Sequence, residues 1–350
     1  MAEIAMGLYK SATYLEDLEH CAAKISGFVS LRGSTVLVTG ATGLIGSFLV
    51  DVLLASGACV VAACRSQEKA HARFAGSPFG FPEFSHYDAT LPVGGLPSAD
   101  YVVHAASNAH PASMMDDPAG TVVSNVAGTA GLLKWCETVG VSRMLYVSSG
   151  EVYGRAEPGV ASFSEEYQGY VDPLAPRSCY PVAKRAAENI CASWPGRTEC
   201  VVVRPCHTFG PTAVASDSRA ASEFSHRAAM GEDIVLRSKG SQYRSWLHVA
   251  DTVSGMIAAL FMGQPGKAYN VASSTVHATV SELAEAFAAT SDSEVVYELE
   301  DQSGQTPITR QVLDTQRIEA LGWAADWGIK EATSRTVRAM RESLEGNKRC

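Results

Sequence analysis

The sequence lacks a CxxC pair, an apolar run approaching ~20 residues, a surplus of positive charge, an internal repeat and a low-complexity tract. Each absence excludes something. The nine cysteines, at 21, 59, 64, 136, 179, 191, 200, 206 and 350, are odd in number and have no metal-ligand spacing. Most sit in apolar runs such as Glu199-Cys200-Val201-Val202, which points to reduced, core-filling thiols in a cytoplasm and to neither a metal centre nor a disulfide framework. With Lys+Arg 28 against Asp+Glu 37 the formal charge is -9, so no general attraction to nucleic acid or an anionic membrane is expected. Any phosphate must be met by local geometry. A basic stretch leading into an apolar one is also missing at the start, where Glu3, Lys10, Glu16 and Asp17 stand instead, so a soluble, unprocessed protein is expected.

What is present is enough for one large α/β domain with a lobe attached, or for two compact domains: 350 residues, 46% of them hydrophobic. Leu15, Leu18, Cys21, Ala22 and Ile25 fall at helical spacing within 12–28 and predict a leading amphipathic helix that packs on the body. From Thr35 the pattern changes to short β-branched runs between longer helical ones, with strands expected at Thr35–Thr39, Cys59–Ala63, Tyr101–Ala105, Met144–Ser148 and Cys200–Val203. Nearly continuous apolar strands alternating with helices imply a parallel sheet covered on both faces, a doubly wound α/β architecture. After about residue 205 the chain becomes irregular, with Gly210-Pro211 and Ser-rich stretches, and helical runs at 281–290 and 329–344 close it. The expected division is an N-terminal helix over 1–32, a dinucleotide-binding part mainly over 33–204, and a smaller substrate lobe mainly over 205–350, with strands and helices partly returning to the first domain.

Strand Thr35–Thr39 runs straight into Gly40-Ala41-Thr42-Gly43-Leu44-Ile45-Gly46 and a helix. The glycines permit a tight turn, approach of a pyrophosphate and close helix–strand packing, and the helix N-terminus supplies N–H groups to the anion. The second strand ends Ala62-Ala63-Cys64-Arg65-Ser66, without the acid that would meet the ribose of NAD. Arg65 suits a 2′-phosphate or an adenine face, and equally an exposed helix start; Asp88 suits the adenine edge, and equally an ordinary turn. Tyr180-Pro-Val-Ala-Lys184 sets a phenol and an ammonium on one helix face. A nearby ammonium and a positive nicotinamide both favour phenolate, so the tyrosine is a candidate base. Some thirty residues upstream the strand Met144–Ser148 brings the hydroxyls of Ser148 and Ser149 to a sheet edge where such folds bind ligands.

These motifs, in order, resemble those of the extended short-chain dehydrogenase/reductases, the nucleotide-sugar epimerases and dehydratases: TGATGLIGS at 39–47, HAAS at 104–107, SSGEVYG at 148–154, YPVAK at 180–184, RPCHTFGP at 204–211, RSWLHVAD at 244–251 and YNVASS at 269–274. The resemblance covers roughly 33–340 and implies a Rossmann-like fold and bound NAD, with NADP left open. It also implies a dimer formed through a four-helix bundle. It places Gly40, Thr42, Gly43, Leu44, Ile45, Gly46, Arg65, Asp88, Ala89, Ala105, Ala106, Ser107, Asn125, Ser148, Tyr180 and Lys184 at the cofactor. By the same likeness Ser149 bonds a sugar hydroxyl, Tyr180 is the base, Lys184 binds the nicotinamide ribose, Asn125 steadies the central helix, and Arg244 holds the substrate diphosphate beside His207.

Within the family the likeness is to UDP-glucuronate decarboxylases and sugar 4,6-dehydratases, carried by Pro176-Arg177-Ser178-Cys179-Tyr180, by Lys184-Arg185-Ala186-Ala187-Glu188 and by the run from His104 to Pro111. Glu151 stands where those enzymes keep an acid, and is expected to act with Ser149, Tyr180 and Lys184; a strand-end carboxylate facing water is the plain alternative. Two residues depart from the pattern. Gly150 replaces an aspartate of the deoxythymidine-type dehydratases and a frequent serine of the decarboxylases, and His207 replaces an asparagine. The expectation is an enzyme that oxidises the 4-hydroxyl of a UDP- or dTDP-sugar and then decarboxylates or dehydrates the ketone, with 4-epimerisation as the alternative. A silent dinucleotide sensor is the remote reading, since such proteins usually lose the tyrosine or lysine retained here.

Overall fold

The computed structural model describes residues 7–107, 111–214, 217–299 and 308–348. Its main elements are α1 (Ala12–Ser26), β1 (Thr35–Thr39), α2 (Leu44–Ala55), β2 (Cys59–Cys64), α3 (Gln67–Phe74), β3 (Glu83–His86), β4 (Tyr101–His104), α4 (Pro118–Val139), β5 (Arg143–Val147), α5 (Cys179–Ala192), β6 (Glu199–Pro205) and β7 (His207–Phe209). They continue with α6 (Ala220–Met230), β8 (Ile234–Leu236), β9 (Tyr243–His248), α7 (Val249–Met262), β10 (Ala268–Val271), β11 (His277–Thr279), α8 (Val280–Ala288), β12 (Val295–Tyr297), β13 (Arg310–Gln311) and α9 (Ile329–Lys348).

Seven strands form one parallel sheet in the order β10-β6-β5-β4-β1-β2-β3. Their side chains alternate between two cores. Val36, Val38, Leu145, Val147, Val201 and Val203 enter one; Leu37, Met144, Tyr146, Cys200 and Val202 enter the other. Burial on both faces is why these strands read as continuous apolar runs rather than as alternating ones. The expected strands lie within two residues of the observed ends. β10 comes from the C-terminal part of the chain and adds a strand to the sheet's far edge beside β6. The rest of that part builds a small sheet, β11-β9-β13 with β7 also on β9, and the pair β12-β8.

The leading helix forms as its spacing predicts. Ser11 caps it, its hydroxyl accepting from Tyr14 N at 3.0 Å, and Tyr14, Leu18, Cys21 and Ile25 are buried in the same core as β1. Beneath it lies a buried polar knot: both Tyr9 and Tyr14 donate to the Asp51 carboxylate at 2.5 Å, and Arg73 pairs with Asp51 at 2.7 Å. Asp17 is paired with Arg335 of α9, and Lys24 reaches Asp251 of α7 at 3.8 Å. These contacts tie α1 to α2, α7 and α9 rather than leaving it a detached arm. Among the described residues no helix is long and apolar enough to cross a membrane.

The strand order reverses between β1 and β4, so the loops after β1, β4 and β5 open side by side at the C-terminal edge of the sheet, the crevice where open α/β sheets bind ligands.

Candidate active site

The loop after β1 is shaped for close approach. Gly40 has φ 69°, and a Cβ there would lie 2.8 Å from the Ala105 backbone. A Cβ on Gly46 would lie 2.1 Å from the Gly40 carbonyl oxygen, so only glycine lets α2 start against β1. Helix α2 has no side-chain cap. The first-turn N–H groups around Leu44, Ile45 and Gly46 therefore keep their capacity to bind an anion. Thr212 accentuates this end by donating to Leu44 O at 2.7 Å. The Thr39 hydroxyl accepts from Ala106 N at 3.1 Å and meets His104 Nδ1 at 2.7 Å, holding the loop of Ala105, Ala106 and Ser107 beside Gly40. Thr42 is half-buried at the loop's tip.

Arg65 and Asp88, both candidates for the adenosine end, lie near enough for the guanidinium to act on the carboxylate. Arg65 is exposed just past β2, while Ser66 caps α3 by accepting from Lys69 N at 3.2 Å. Asp88 accepts from Thr90 N at 2.9 Å and from the Thr90 hydroxyl at 2.7 Å; these bonds, with Arg65 nearby, hold its carboxyl below the usual range. One oxygen of Asp88 thus serves a turn. Ala89 abuts α4, for a Cβ on Gly128 would come within 2.8 Å of Ala89 Cβ. Buried Asn125 accepts from Ser107 Oγ at 3.0 Å and donates to Thr121 O at 2.8 Å, pinning the loop after β4 to α4. Asn108, Ala109 and His110, part of the decarboxylase-like run, lie outside the described residues. Ser148 Oγ is buried with no partner among the described residues, at the edge where a dinucleotide would pass. The capless helix, the two crowded glycines and this orphaned hydroxyl fit a dinucleotide.

Tyr180 and Lys184 lie on the buried face of α5. Lys184 Nζ donates to Val147 O at 2.8 Å and rests 4.8 Å from the Tyr146 ring centre and 5.6 Å from that of Tyr180. Burial draws the ammonium down to about 7, against the nearby Glu188. Tyr180 is pushed up to about 12, first by burial and then by Glu151, with the Ser149 hydroxyl opposing. Burial and Glu151 therefore work against the expected phenolate, because the same burial that shields the site penalises the charged forms of both partners.

A turn after β5 carries Glu151. Its N–H donates to Ser149 Oγ at 3.1 Å, and its carboxylate takes a two-pronged contact from Arg177 at 3.1 and 3.2 Å. Glu151 is thus a paired acid in the site and not a carboxylate simply facing water. Gly150 is buried, and its carbonyl accepts from Gln311 Nε2 at 2.7 Å.

Across the cleft, Arg244 on β9 donates to His207 Nε2 on β7, a pairing set by the register that places His207 opposite Trp246. A third guanidinium, which the sequence reasoning missed, lies in the same cleft. Arg219 forks onto buried Asp217, Nε–Oδ1 at 2.8 Å and Nε–Oδ2 at 3.1 Å, and its charge reaches Tyr180 and His207. Its only sequence signal was an Asp and an Arg two apart before a helix, inside a stretch set aside as Ser-rich. Arg177, within the Pro176–Tyr180 motif, gains its contact with Glu151 only through the fold. Among the described residues no group of His, Cys, Asp and Glu could hold a metal.

The model of the NAD dependent epimerase/dehydratase family matches residues 36–272. UDP-glucuronic acid decarboxylase 1 of Xenopus tropicalis is 31% identical over 323 residues, 89% of this chain and 73% of that protein. UDP-glucuronic acid decarboxylase 6 of Arabidopsis thaliana is 31% identical over 306 residues, 85% of each. Among solved structures, a dTDP-glucose 4,6-dehydratase from Streptomyces venezuelae with NAD bound is 26% identical with a TM-score of 0.72, covering 87% of this chain and 96% of that one. A UDP-glucose 4-epimerase from Thermotoga maritima shares the fold at 23% identity, with a TM-score of 0.77 over 89% of this chain and 99% of that one. The family model covers about two thirds of the chain, and the parallel sheet agrees with it: this protein belongs to the NAD dependent epimerase/dehydratase family.

Proposed function

We propose that this chain is an NAD-dependent nucleotide-sugar enzyme of the decarboxylase type, acting on UDP-glucuronate. The observation that carries this reading is the clustering of Arg177 and Arg219 beside Tyr180, with Arg244 beside Glu151 and Arg177. Three guanidiniums in one cleft suit a substrate with a diphosphate at one end and a carboxylate at the other. The UDP-glucuronic acid decarboxylases among its relatives support it.

NAD held by the 40–46 loop would supply the hydride acceptor and donor for the sugar's fourth carbon. Tyr180 takes the 4-hydroxyl proton, Ser149 orients that hydroxyl, and Lys184 holds the ribose and favours the phenolate. The ketone so formed lies β to the carboxylate of a hexuronate, so carbon dioxide departs and leaves an enolate. Glu151, steered by Arg177, is placed to relay a proton taken up from solvent to the enolate. Return of hydride and of the Tyr180 proton then completes a UDP-pentose with no net redox. In this scheme residues 33–204 mainly hold cofactor and 205–350 mainly hold substrate through His207 and Arg244. Arg65 is exposed and serves the adenosine end. The paired helices α4 and α5, with Val123 exposed, are the face through which a homodimer would form. Buried free thiols at most described cysteines suit a reducing cytoplasm.

The bare Gly150 favours a second reading, 4-epimerisation, because a side chain used by lyases is missing there. Product analysis decides. Incubation with UDP-glucuronate should release carbon dioxide and yield a UDP-pentose. A UDP-hexuronate epimer with no gas would install the second reading, and no reaction with any UDP- or dTDP-hexose or hexuronate would overturn both.

A further inference from the structure

Two adjacent residues of α9 hold opposite halves of the molecule. Arg341 reaches the C-terminal end of α6, donating to Ala228 O at 2.9 Å and Ala229 O at 3.3 Å, in the turn where helical carbonyls run short of partners. Glu342, the next residue, reaches α1. Its Oε2 accepts from Ser11 Oγ at 2.7 Å and from Thr13 N at 3.0 Å, and its Oε1 accepts from Thr13 Oγ1 at 3.0 Å. Ser11 and Thr13 are buried, so water does not readily replace these bonds. Helix α1 is in turn fastened to α2, since Tyr14 donates to Asp51 at 2.5 Å and sets its ring edge-on to Phe48 with centres 5.8 Å apart.

The helices joined through α1 and α9 each bring an N-terminus to the cleft. α2 starts from the 40–46 loop, and α6 starts at Arg219, which is held on Asp217 together with the Ser222 hydroxyl at 2.8 Å. The other main packing partners of α6, which are α8, β7 and β8, belong to its own lobe. At 1.5 Å per residue α6 is a rod about 16 Å long, so a shift at its Arg341 end is carried to Arg219. Both α1 and α9 lie outside the residues 36–272 that the family model matches.

We propose that Glu342 is a positioning residue for substrate binding: with Arg341 it makes α9 a brace between α1 and α6, and the brace holds Arg219 at a fixed reach from the dinucleotide loop. Glu342 acts through α6 and sets the fit of Arg219 to a substrate anion. Only the source of that anion, UDP-glucuronate, rests on the nucleotide-sugar reading.

The full-length, NAD-loaded protein is compared with Glu342→Leu, Glu342→Gln and Arg341→Leu. Leucine removes both acceptors. Glutamine keeps one acceptor oxygen for Ser11 Oγ and Thr13 N and turns an amide N–H to the Thr13 hydroxyl, so it restores all three bonds. Hydrogen exchange read by mass spectrometry should rise about tenfold over 217–223 in both leucine variants, stay at the wild-type level in Glu342→Gln, and leave 40–55 protected in all. UDP-glucuronate should bind about three- to tenfold more weakly to both leucine variants by calorimetry, while NAD binds the stripped proteins as it binds wild type. A rise in exchange confined to 8–16 and 338–346 overturns the brace, because Glu342 then only caps α1 locally. A weakening that glutamine fails to restore overturns it too, as does a parallel loss of NAD and UDP-glucuronate affinity. Should Glu342→Leu fail to fold, Arg341→Leu decides alone, since it breaks the brace from the other side without touching α1. If exchange responds as expected and the wild type binds no UDP-glucuronate, the proposed function falls while the brace stands.

Discussion

Gly43 and Gly46 sit three residues apart in one loop, yet the structure gives them opposite tasks. Gly43 has φ -81° and ψ 173°, a conformation any residue adopts, and a Cβ there would meet only Gly40 O at 3.4 Å. Gly46, already in the helix, would drive its Cβ to 2.1 Å from Gly40 O and 2.9 Å from Gly40 C. Gly43→Val should therefore alter fold stability by under ~1 kcal/mol, as surface changes do, while Gly46→Val overpacks the strand–helix contact at about 1–3 kcal/mol or more. For the cofactor the order is reversed in kind. A valine at 43 stands before the uncapped N-terminus of α2 and blocks two or three charge-assisted bonds to the pyrophosphate. Two such bonds at ~2 kcal/mol each amount to roughly a thousandfold in affinity. Titration calorimetry with NAD on stripped protein measures the binding. Thermal unfolding, also without NAD since a bound ligand would raise Tm by itself, measures the fold. Wild-type NAD affinity in Gly43→Val would refute the placement of the dinucleotide, and a stability loss equal to that of Gly46→Val would refute the division of roles.

Three further outcomes follow from the same geometry. Tyr180→Phe removes only the phenolic oxygen, so turnover should fall at least ~100-fold with UDP-glucuronate affinity and NAD content retained, which steady-state kinetics and calorimetry would check. Glu151→Gln should stop the sequence after decarboxylation, seen as reduced-nicotinamide absorbance that builds with carbon dioxide released but no UDP-pentose formed; full activity with an epimeric product would refute the acid's role. Asp17 and Asp251 are both pushed up to about 6 by burial, above their ordinary 3.8, so the folded protein binds protons more tightly there than the unfolded chain. Their stabilising contribution is then complete below about pH 4 and is lost as pH rises through about 6, and Asp251→Asn should flatten that part of a Tm–pH curve.

The sheet was legible because its strands are buried on both faces, so continuous apolar runs survive as a signal without any partner being known. The loop at 40–46 and the Tyr180–Lys184 pair were legible for a related reason: each is set by local spacing, a strand-to-helix turn and one helical turn. Much of the later motifs proved to be scaffold. In RSWLHVAD, His248 caps α7 through Nδ1 at 3.3 Å from Ala250 N, and Asp251 accepts from Asp326 N at 2.9 Å. In YNVASS, Asn270 accepts from Tyr153 OH at 2.6 Å and donates to Phe163 O at 2.9 Å. Arg204 of RPCHTFGP forks onto Glu188 at 2.9 and 2.6 Å. Apart from the local His248 cap, these partners lie 16 to 117 residues away in sequence and leave no periodic trace. Arg219 was hidden for the same reason, since only the fold brings it to Tyr180.

The electrostatics of the base also explain why Arg177 accompanies Glu151. Burial raises Tyr180, and Glu151 is the next cause in size, so a free carboxylate here would hold the phenol protonated and disable the first step. Arg177 and Arg219 both act in the opposite sense on Tyr180. The two-pronged Arg177–Glu151 pair cancels much of the acid's field at the phenol while keeping the acid within the site for the later proton transfer. A site that needs a base for oxidation and an acid afterwards can hold both only if the acid's charge is balanced during the first step. Arg177→Leu should therefore slow oxidation itself, moving the alkaline rise of the oxidation rate to higher pH, whereas the double variant with Glu151→Gln should recover the oxidation step but still form no UDP-pentose. Single-turnover kinetics across pH would show it, and an unshifted profile in Arg177→Leu would mean that the pair only shapes the turn after β5.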